Sequence, residues 1–314
     1  MNKFDAAVVL VTYNPESNKL MDTIHSILIQ KDIHLQLILA DDGSKNCDFE
    51  QLEQYLNDKI CFKKVVSPVN QGTVKNILNG LQFVEAPYVK VISPGDSFLD
   101  EYVLKNWISF LKDSKKRWSF SDCTYFCYSD KWEKELLSVV AKPQAVQLYS
   151  VNDDKKNKEL YLLAEDIAIG AAIISETDLL KDYLRRIENV VIYCEDVVYR
   201  MMMCEDEIGV FYPKSTIYYE YGLGISTSSS ARWERIIRKE WAQADKILLN
   251  SNLKLSFSTK MSLKVNCCEN DFIRRVGRII FQRRLLGKVL KERINPRLSN
   301  DFIGQSKSMK YIVK

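Results

Sequence analysis

Histidine is nearly absent from this chain, with only His25 and His34 in 314 residues. Catalysis by a Ser-His-Asp or Cys-His relay needs an imidazole to carry the proton, so that class falls away, and both histidines read as structural. Zinc sites are also excluded. They draw on Cys and His at close spacing, and the eight cysteines form no C-x-x-C pair. The chain has no long hydrophobic run either. Its longest uncharged apolar stretch, IAIGAAIIS at 167–175, is far shorter than the roughly 20 residues of a membrane helix, and it reads as a core strand. The N-terminal run AAVVLV is six residues long and enters TYN without a small-residue cleavage site. No leader is therefore expected, and the cysteines are expected to be reduced thiols of a cytoplasmic protein. Internal repeats and low-complexity linkers are lacking.

What is present suits a large core. Hydrophobic residues make up 46% and charged residues 27%, enough for two domains or one large α/β domain with an appendage. The net charge of +4 hides an asymmetry. Beyond residue 230 lie 20 of the 45 basic and 7 of the 41 acidic residues, so that region carries +13 and the remainder −9. A basic tail beside an acidic body suggests a polyanionic partner: anionic lipid, nucleic acid or an acidic protein.

The first hundred residues alternate strand and helix patterns. AAVVLVT (6–12) is apolar throughout, as in a parallel strand buried on both faces. Leu20, Ile24, Ile27 and Leu28 then share a helical face behind a capping Ser17. Strands follow at 34–40, 60–67 and 87–93. Helices are marked by Phe49, Leu52 and Leu56, by Val74, Ile77, Leu78 and Leu81, and by Val103, Trp107, Ile108 and Leu111 behind Asp100. Four β-then-α units predict a doubly wound, mostly parallel sheet. From about 117 to 230 the segments are shorter and mixed, with a helix over 195–206. Beyond 231 two long helical patterns appear. The expected division is 1–230, with halves 1–112 and 113–230, followed by a basic helical region at 231–314.

Ligands of such sheets sit at the carboxyl ends of the strands, here the loops TYN, DDGS, SPVNQG and SPGD. Tyr13 can stack on a base, and Thr12 and Asn14 offer hydrogen-bonding groups. Asp41 and Asp42 can accept from a base or a ribose. Lys75, in a helix's first turn, can meet a phosphate where the dipole also favours an anion. Each signal alone is weak, but four such loops on one sheet edge carry weight together.

The segments VVLVTYNPESNKLMDTIHSILIQ, LILADDGS, NQGTVKNILNG and YVKVISPGDSFLDE, in this order and spacing, resemble the start of glycosyltransferase family 2. The likeness is strong over 5–112, looser to 230, and absent beyond. It implies a GT-A fold with a Rossmann-like nucleotide-binding half, and a nucleoside-diphosphate sugar as donor, with UDP favoured. It also implies that Thr12, Tyr13 and Glu16 line the nucleotide pocket, that Asp42 reads the base, and that Lys75 lies by ribose or phosphate. Where the family carries Asp-x-Asp or Asp-Asp for a divalent metal, this chain has Ser93-Pro94-Gly95-Asp96. Asp96 alone remains, as a ligand of Mn²⁺ or Mg²⁺ or as a turn residue. One carboxylate is sufficient in principle, because substrate phosphates and water can complete the octahedron.

Inverting transfer needs a carboxylate to take the acceptor's proton. Glu195-Asp196 precedes the helical pattern VVYRMMM and resembles the family's Glu-Asp motif, which implies Asp196 as base with Glu195 as the fallback. The plain alternative is a helix-capping carboxylate. A helix N-terminus is expected to hold the Asp196 pKa down. Glu205-Asp206 reads as a solvated helix end, and Met201 to Met203 as core packing. In YYEYGLGISTSSS, Ser226 and Thr227 are candidate donors on a loop over the diphosphate, and a simple linker reads nearly as well. Over 270–293 a basic amphipathic helix is expected either to lie on an anionic membrane surface or to pack with its basic face in water. Nucleic acid is not expected as a partner, since no aromatics are interleaved with the cations. The whole reads as an inverting transferase for a lipid-linked or oligosaccharide acceptor in surface polysaccharide synthesis, cytoplasmic and peripheral on the membrane's inner face. A catalytically silent sugar-nucleotide-binding or scaffold protein is the alternative.

Overall fold

The computed structural model describes residues 3–45, 47, 49–137, 141–150, 153–222 and 230–294. The first half follows the periodicity of the sequence: β1 (Ala6–Thr12), α1 (Ser17–Leu28), β2 (Leu35–Asp41), α2 (Phe49–Leu56), β3 (Cys61–Val66), α3 (Thr73–Leu81) and β4 (Tyr88–Ile92). Then come β5 (Ser97–Phe98), α4 (Val103–Ser114), β6 (Trp118–Phe120), β7 (Cys123–Tyr128), β8 (Lys134–Leu136), α5 (Asp154–Leu163), β9 (Ile173–Glu176) and α6 (Thr177–Ile187). The chain continues through α7 (Val197–Cys204), β10 (Val210–Phe211), β11 (Ile217–Glu220), α8 (Ala231–Leu249), α9 (Phe257–Asn266) and α10 (Asp271–Ile294).

Seven strands form the main sheet in the order β10-β6-β9-β4-β1-β2-β3. All pairs are parallel except the two that β9 makes, with β4 and β6. β1 is buried along its whole length because strands flank it and helices cover both its faces. Val9, Val11, Ile38 and Ala40 pack toward α3, α6 and α7, and Val8, Leu10, Leu37 and Leu39 toward α1, α2 and α4. The register pairs Thr12 with Asp41 and Asp41 with Val66, so three strands end side by side and their loops share one edge. A smaller sheet, β5-β11-β7-β8, stands beside that edge.

Local details depart from the expectations. α1 has Glu16, not Ser17, in its cap position, and the Glu16 side chain makes no capping bond; it lies 3.4 Å from Lys19. Asp100 accepts from the Tyr102 N–H at 2.7 Å, forming a turn just before α4 rather than capping it. Only the end of IAIGAAIIS is strand. Gly170–Ala172 form a 3₁₀ turn that delivers the chain to β9. Helices α5, α6 and α9 and the small sheet are additions to the sequence reading. The C-terminal helices also belong to the main core, with Ala244, Leu248, Leu263 and Val289 in the same cluster as α3, α6 and α7. Met201, Met202 and Met203 are fully buried there.

Candidate active site

At the strand-end edge the loops brace one another. Thr12 Oγ1 donates to Asp41 Oδ1 at 2.8 Å, and Asp41 also accepts from the Ser44 N–H at 2.7 Å. Asp42 uses both carboxylate oxygens, accepting from the N–H groups of Gln71 and Gly72 at 2.8 and 2.7 Å. Asn14, held at φ 44, receives the Lys45 N–H on its side chain at 3.0 Å. This lattice of side chain to backbone bonds fixes three loops that have no secondary structure of their own.

Beside it opens a cleft of about 1050 Å³. Tyr13 and Glu16 line it, with Asp96, Glu195 and Asp196. Thr12, Asn14, Asp41, Asp42 and the half-buried Lys75 are not among its lining residues. Ser226 and Thr227 lie outside the described residues. Tyr13 is about half exposed (51%) where it lines the cleft.

The SPGD turn is built from α1. Thr23, fully buried, accepts the Gly95 N–H at 3.0 Å and donates its hydroxyl to the Asp96 carbonyl at 2.7 Å. Gly95 adopts φ 101, and a Cβ there would stand 2.5 Å from Glu220 Oε2. Only glycine meets both demands. Glu220 is in turn paired with Lys19 at 2.7 Å. Asp96 is buried, and its Oδ1 accepts a long bond of 3.4 Å from the Glu220 N–H. Burial pushes the Asp96 carboxyl up to about 7, and nearby Lys90 pulls the other way. Lys90 itself is wholly buried in β4, where desolvation brings its ammonium down to about 7 against the pull of Asp96 and Glu195.

Asp96 and, against its neighbour Gly95, Glu220 thus offer hard oxygen donors, with one Glu220 oxygen already held by Lys19. Among the described residues, no group of three or more His, Cys, Asp or Glu side chains could hold a metal ion. This donor set fits a Mg²⁺ or Mn²⁺ that arrives with phosphate oxygens and keeps its waters. It does not fit an ion caged by protein alone.

On the other wall, Glu195 and Asp196 lead into α7. Both are partly buried, and desolvation raises both carboxyls above their ordinary range, Glu195 the further because Asp196 stands beside it. Lys142 draws Asp196 back toward the ionised form. The expected depression of Asp196 by the helix terminus is thus overridden by burial. Asp196 holds the cap position of α7 but makes no side-chain capping bond there, which leaves its oxygens for other partners. Gly170 makes room for the pair, since a Cβ there would lie 2.6 Å from Glu195 Oε1. Glu205 is an ion-pair residue on the far side of α7, bound to Arg186 and Tyr183.

Lys90, Glu220, Thr23 and Lys19 escaped the sequence reading. A lysine in the middle of the buried strand YVKVI was the one visible signal. The others depend on contacts between segments 70 to 201 residues apart.

A family model for glycosyl transferase family 2 matches residues 7–175. No curated protein sequence matches the chain. Among solved structures, S. aureus TarS 1–349 in complex with UDP-GlcNAc is similar at TM-score 0.59 and 14% identity, covering 93% of this chain and 88% of that one. A longer TarS chain aligns at TM-score 0.53 and 15% identity over 90% of this chain, which spans only 44% of it. The mannosyltransferase PcManGT from Pyrobaculum calidifontis, in complex with GDP-Man and Mn²⁺, aligns at TM-score 0.59 and 11% identity, covering 92% of this chain and 74% of that one. Identities this low speak for the fold alone, a mixed α/β GT-A architecture with a mostly parallel sheet and a helical C-terminal region.

Proposed function

We propose, from the premise that the chain belongs to glycosyltransferase family 2 and is a nucleotide-sugar glycosyltransferase, that it moves a sugar from a UDP-sugar to a glycan acceptor with inversion. The supporting observation is a single cleft carrying two sets of carboxylates, the buried Asp96 on one wall and the partly buried Glu195-Asp196 pair on the other, all three desolvated enough to raise their pKa. In this reading Tyr13 stacks on the base, and the Asp41 and Asp42 loops shape its seat. Lys75 is assigned to ribose or phosphate, and Ser226 and Thr227 to the diphosphate. Asp196 accepts the acceptor hydroxyl's proton as that oxygen attacks the anomeric carbon. The bond to the diphosphate breaks with its electron pair, leaving the inverted glycoside, UDP and protonated Asp196. Asp96, with Glu220 beside it, would hold a divalent ion whose charge stabilises the leaving diphosphate.

The acceptor is proposed to be lipid-linked, and the enzyme to work from the cytoplasmic face of a membrane in surface polysaccharide synthesis. The feature favouring this is α10, where Phe272, Ile273, Val276, Ile279 and Ile280 form an apolar stripe facing solvent, with Arg275 exposed beside it. No helix among the described residues is long and apolar enough to cross a membrane. A stripe of this kind suits shallow burial in an anionic interface.

Calorimetric titration of UDP, GDP and CDP, with Mn²⁺ and with EDTA, tests the donor half on wild type and Asp96→Ala. Tight UDP binding that needs both Mn²⁺ and Asp96 is expected. GDP or CDP binding in its place overturns the choice of base, and binding indifferent to Mn²⁺ and Asp96 makes Asp96 a turn residue.

A further inference from the structure

Glu240 is an anomaly on α8. It is a carboxylate buried in a helix of the C-terminal region, 4% exposed, where an ionised group is costly unless hydrogen-bonded. Its Oε2 accepts two backbone N–H groups at 2.9 Å each, from Tyr193 and Cys194. Those are the two residues immediately before Glu195 and Asp196. The same turn is held from its other side by α3, whose Val74 N–H donates to the Ile192 carbonyl at 3.0 Å. Two further contacts tie α8 to this element. The Tyr193 ring meets Trp233 edge-on at 5.1 Å, and Asp245 reaches Arg200 in the body of α7 at 3.0 Å. The turn that presents the carboxylate pair is thus gripped between α3 and α8, and α7 is gripped by α8 again one turn further on.

We propose that Glu240 is a positioning residue for sugar transfer: from the C-terminal helical region it clamps the 193–194 peptides and so sets the place and charge of the Glu195-Asp196 pair. The inference rests on the reading of Asp196 as base. Two bonds to consecutive peptides define an orientation, whereas one would define only a distance, and misplacement by about 1 Å can cost a reaction on the order of 10²-fold. The Glu240 carboxylate also acts through its charge, disfavouring ionisation of both Glu195 and Asp196. The other groups acting on the pair are Lys142, which favours Asp196 ionised, Lys90, which favours Glu195 ionised, and the buried Cys194, Tyr161 and Tyr199 beside them. The basic C-terminal region is on this account part of the catalytic machinery as well as a candidate membrane contact.

The test uses the full chain as wild type, Glu240→Gln, Glu240→Ala and Asp196→Asn. UDP release is followed with whichever of UDP-Glc, UDP-Gal, UDP-GlcNAc and UDP-GalNAc the wild type turns over fastest, and amide exchange is followed over 191–197. Glu240→Ala is expected to lower kcat by about 10- to 100-fold with donor KM and UDP affinity within about twofold, and to speed exchange of 191–197 while β1 and β2 stay protected. Glu240→Gln keeps an acceptor oxygen and loses the charge. It should recover most of kcat and move the acidic limb of the kcat profile to lower pH, because the base then ionises more easily. Unchanged kcat and exchange in Glu240→Ala, beside an inactive Asp196→Asn, overturn the clamp alone. Full turnover in Asp196→Asn removes the base assignment and this role with it. Parallel loss of UDP binding and kcat in Glu240→Ala would make Glu240 a general stability residue, which also overturns the proposal.

Discussion

The strand-end edge beside the cleft and the cleft wall at α7 treat their carboxylates in opposite ways. On the strand-end side, Asp41 and Asp42 are buried and fully engaged, one by Thr12 and Ser44, the other by two N–H groups of the loop before α3. On the α7 side, Asp196 is only partly buried and makes no capping bond, and desolvation still holds its proton more tightly than that of a free aspartate. The first arrangement makes a shape, because every oxygen is committed before a ligand arrives. The second leaves a carboxylate without a capping partner, as the proposed base role requires, at the cost of carrying an under-solvated charge.

Three changes would break or sharpen this contrast. The largest effect is expected for Asp196→Asn, which should reduce kcat by about 10² or more while UDP affinity stays near wild type; near-normal turnover would move the base elsewhere. In the wild type, activity should fail on acidification at a pH above that expected for an ordinary aspartate, since a raised pKa leaves the base protonated earlier as pH falls. A kcat/KM profile still flat well into the ordinary aspartate range would contradict this. The next effect is on the strand-end edge. Asp42→Ala strands two N–H donors and should cost about 1–3 kcal/mol of stability, read as a lower urea midpoint, with weaker UDP binding. An unchanged midpoint would mean that the loops hold without it. The smallest is on α10, where Ile279→Ser with Ile280→Ser should alter stability by no more than about 0.5 kcal/mol each, since both side chains face solvent. The same double variant should lose flotation with anionic vesicles, and retained flotation would separate that stripe from membrane contact.

The parallel half of the fold was legible because β1 is an apolar run, β2 and β4 are mostly apolar, and the helices between show one apolar face. The second half resisted for identifiable reasons. Its strands are two to six residues long and mix aromatic with polar side chains, too short for a period to show. α5 carries Lys155, Lys156 and Lys158 around its few buried positions, which blurs its face. In the site, Tyr13, Glu16, Asp96, Glu195 and Asp196 could be singled out because family-like motifs surround them, and all five line the cleft. Nothing local marks Glu220 or Glu240. Glu220 becomes relevant only because β11 runs beside the SPGD turn, and Glu240 only because α8 folds back on α7.

That fold-back sets an order of assembly. Synthesis makes β1 to β4 first, and domains generally begin to fold from the N-terminus as they emerge. The carboxylate pair at 195–196 leaves the ribosome before the helix that grips it, and Arg200 is made some 45 residues ahead of Asp245. Until α8 appears, a guanidinium destined for the core has Glu165 at 4.0 Å but lacks its closer counter-charge Asp245, and the 193–194 peptides lack the Glu240 oxygen that accepts from them. On the proposed role of Glu240, a nascent chain can thus carry the strand-end loops and the carboxylate pair while still lacking the α8 clamp that sets that pair for sugar transfer.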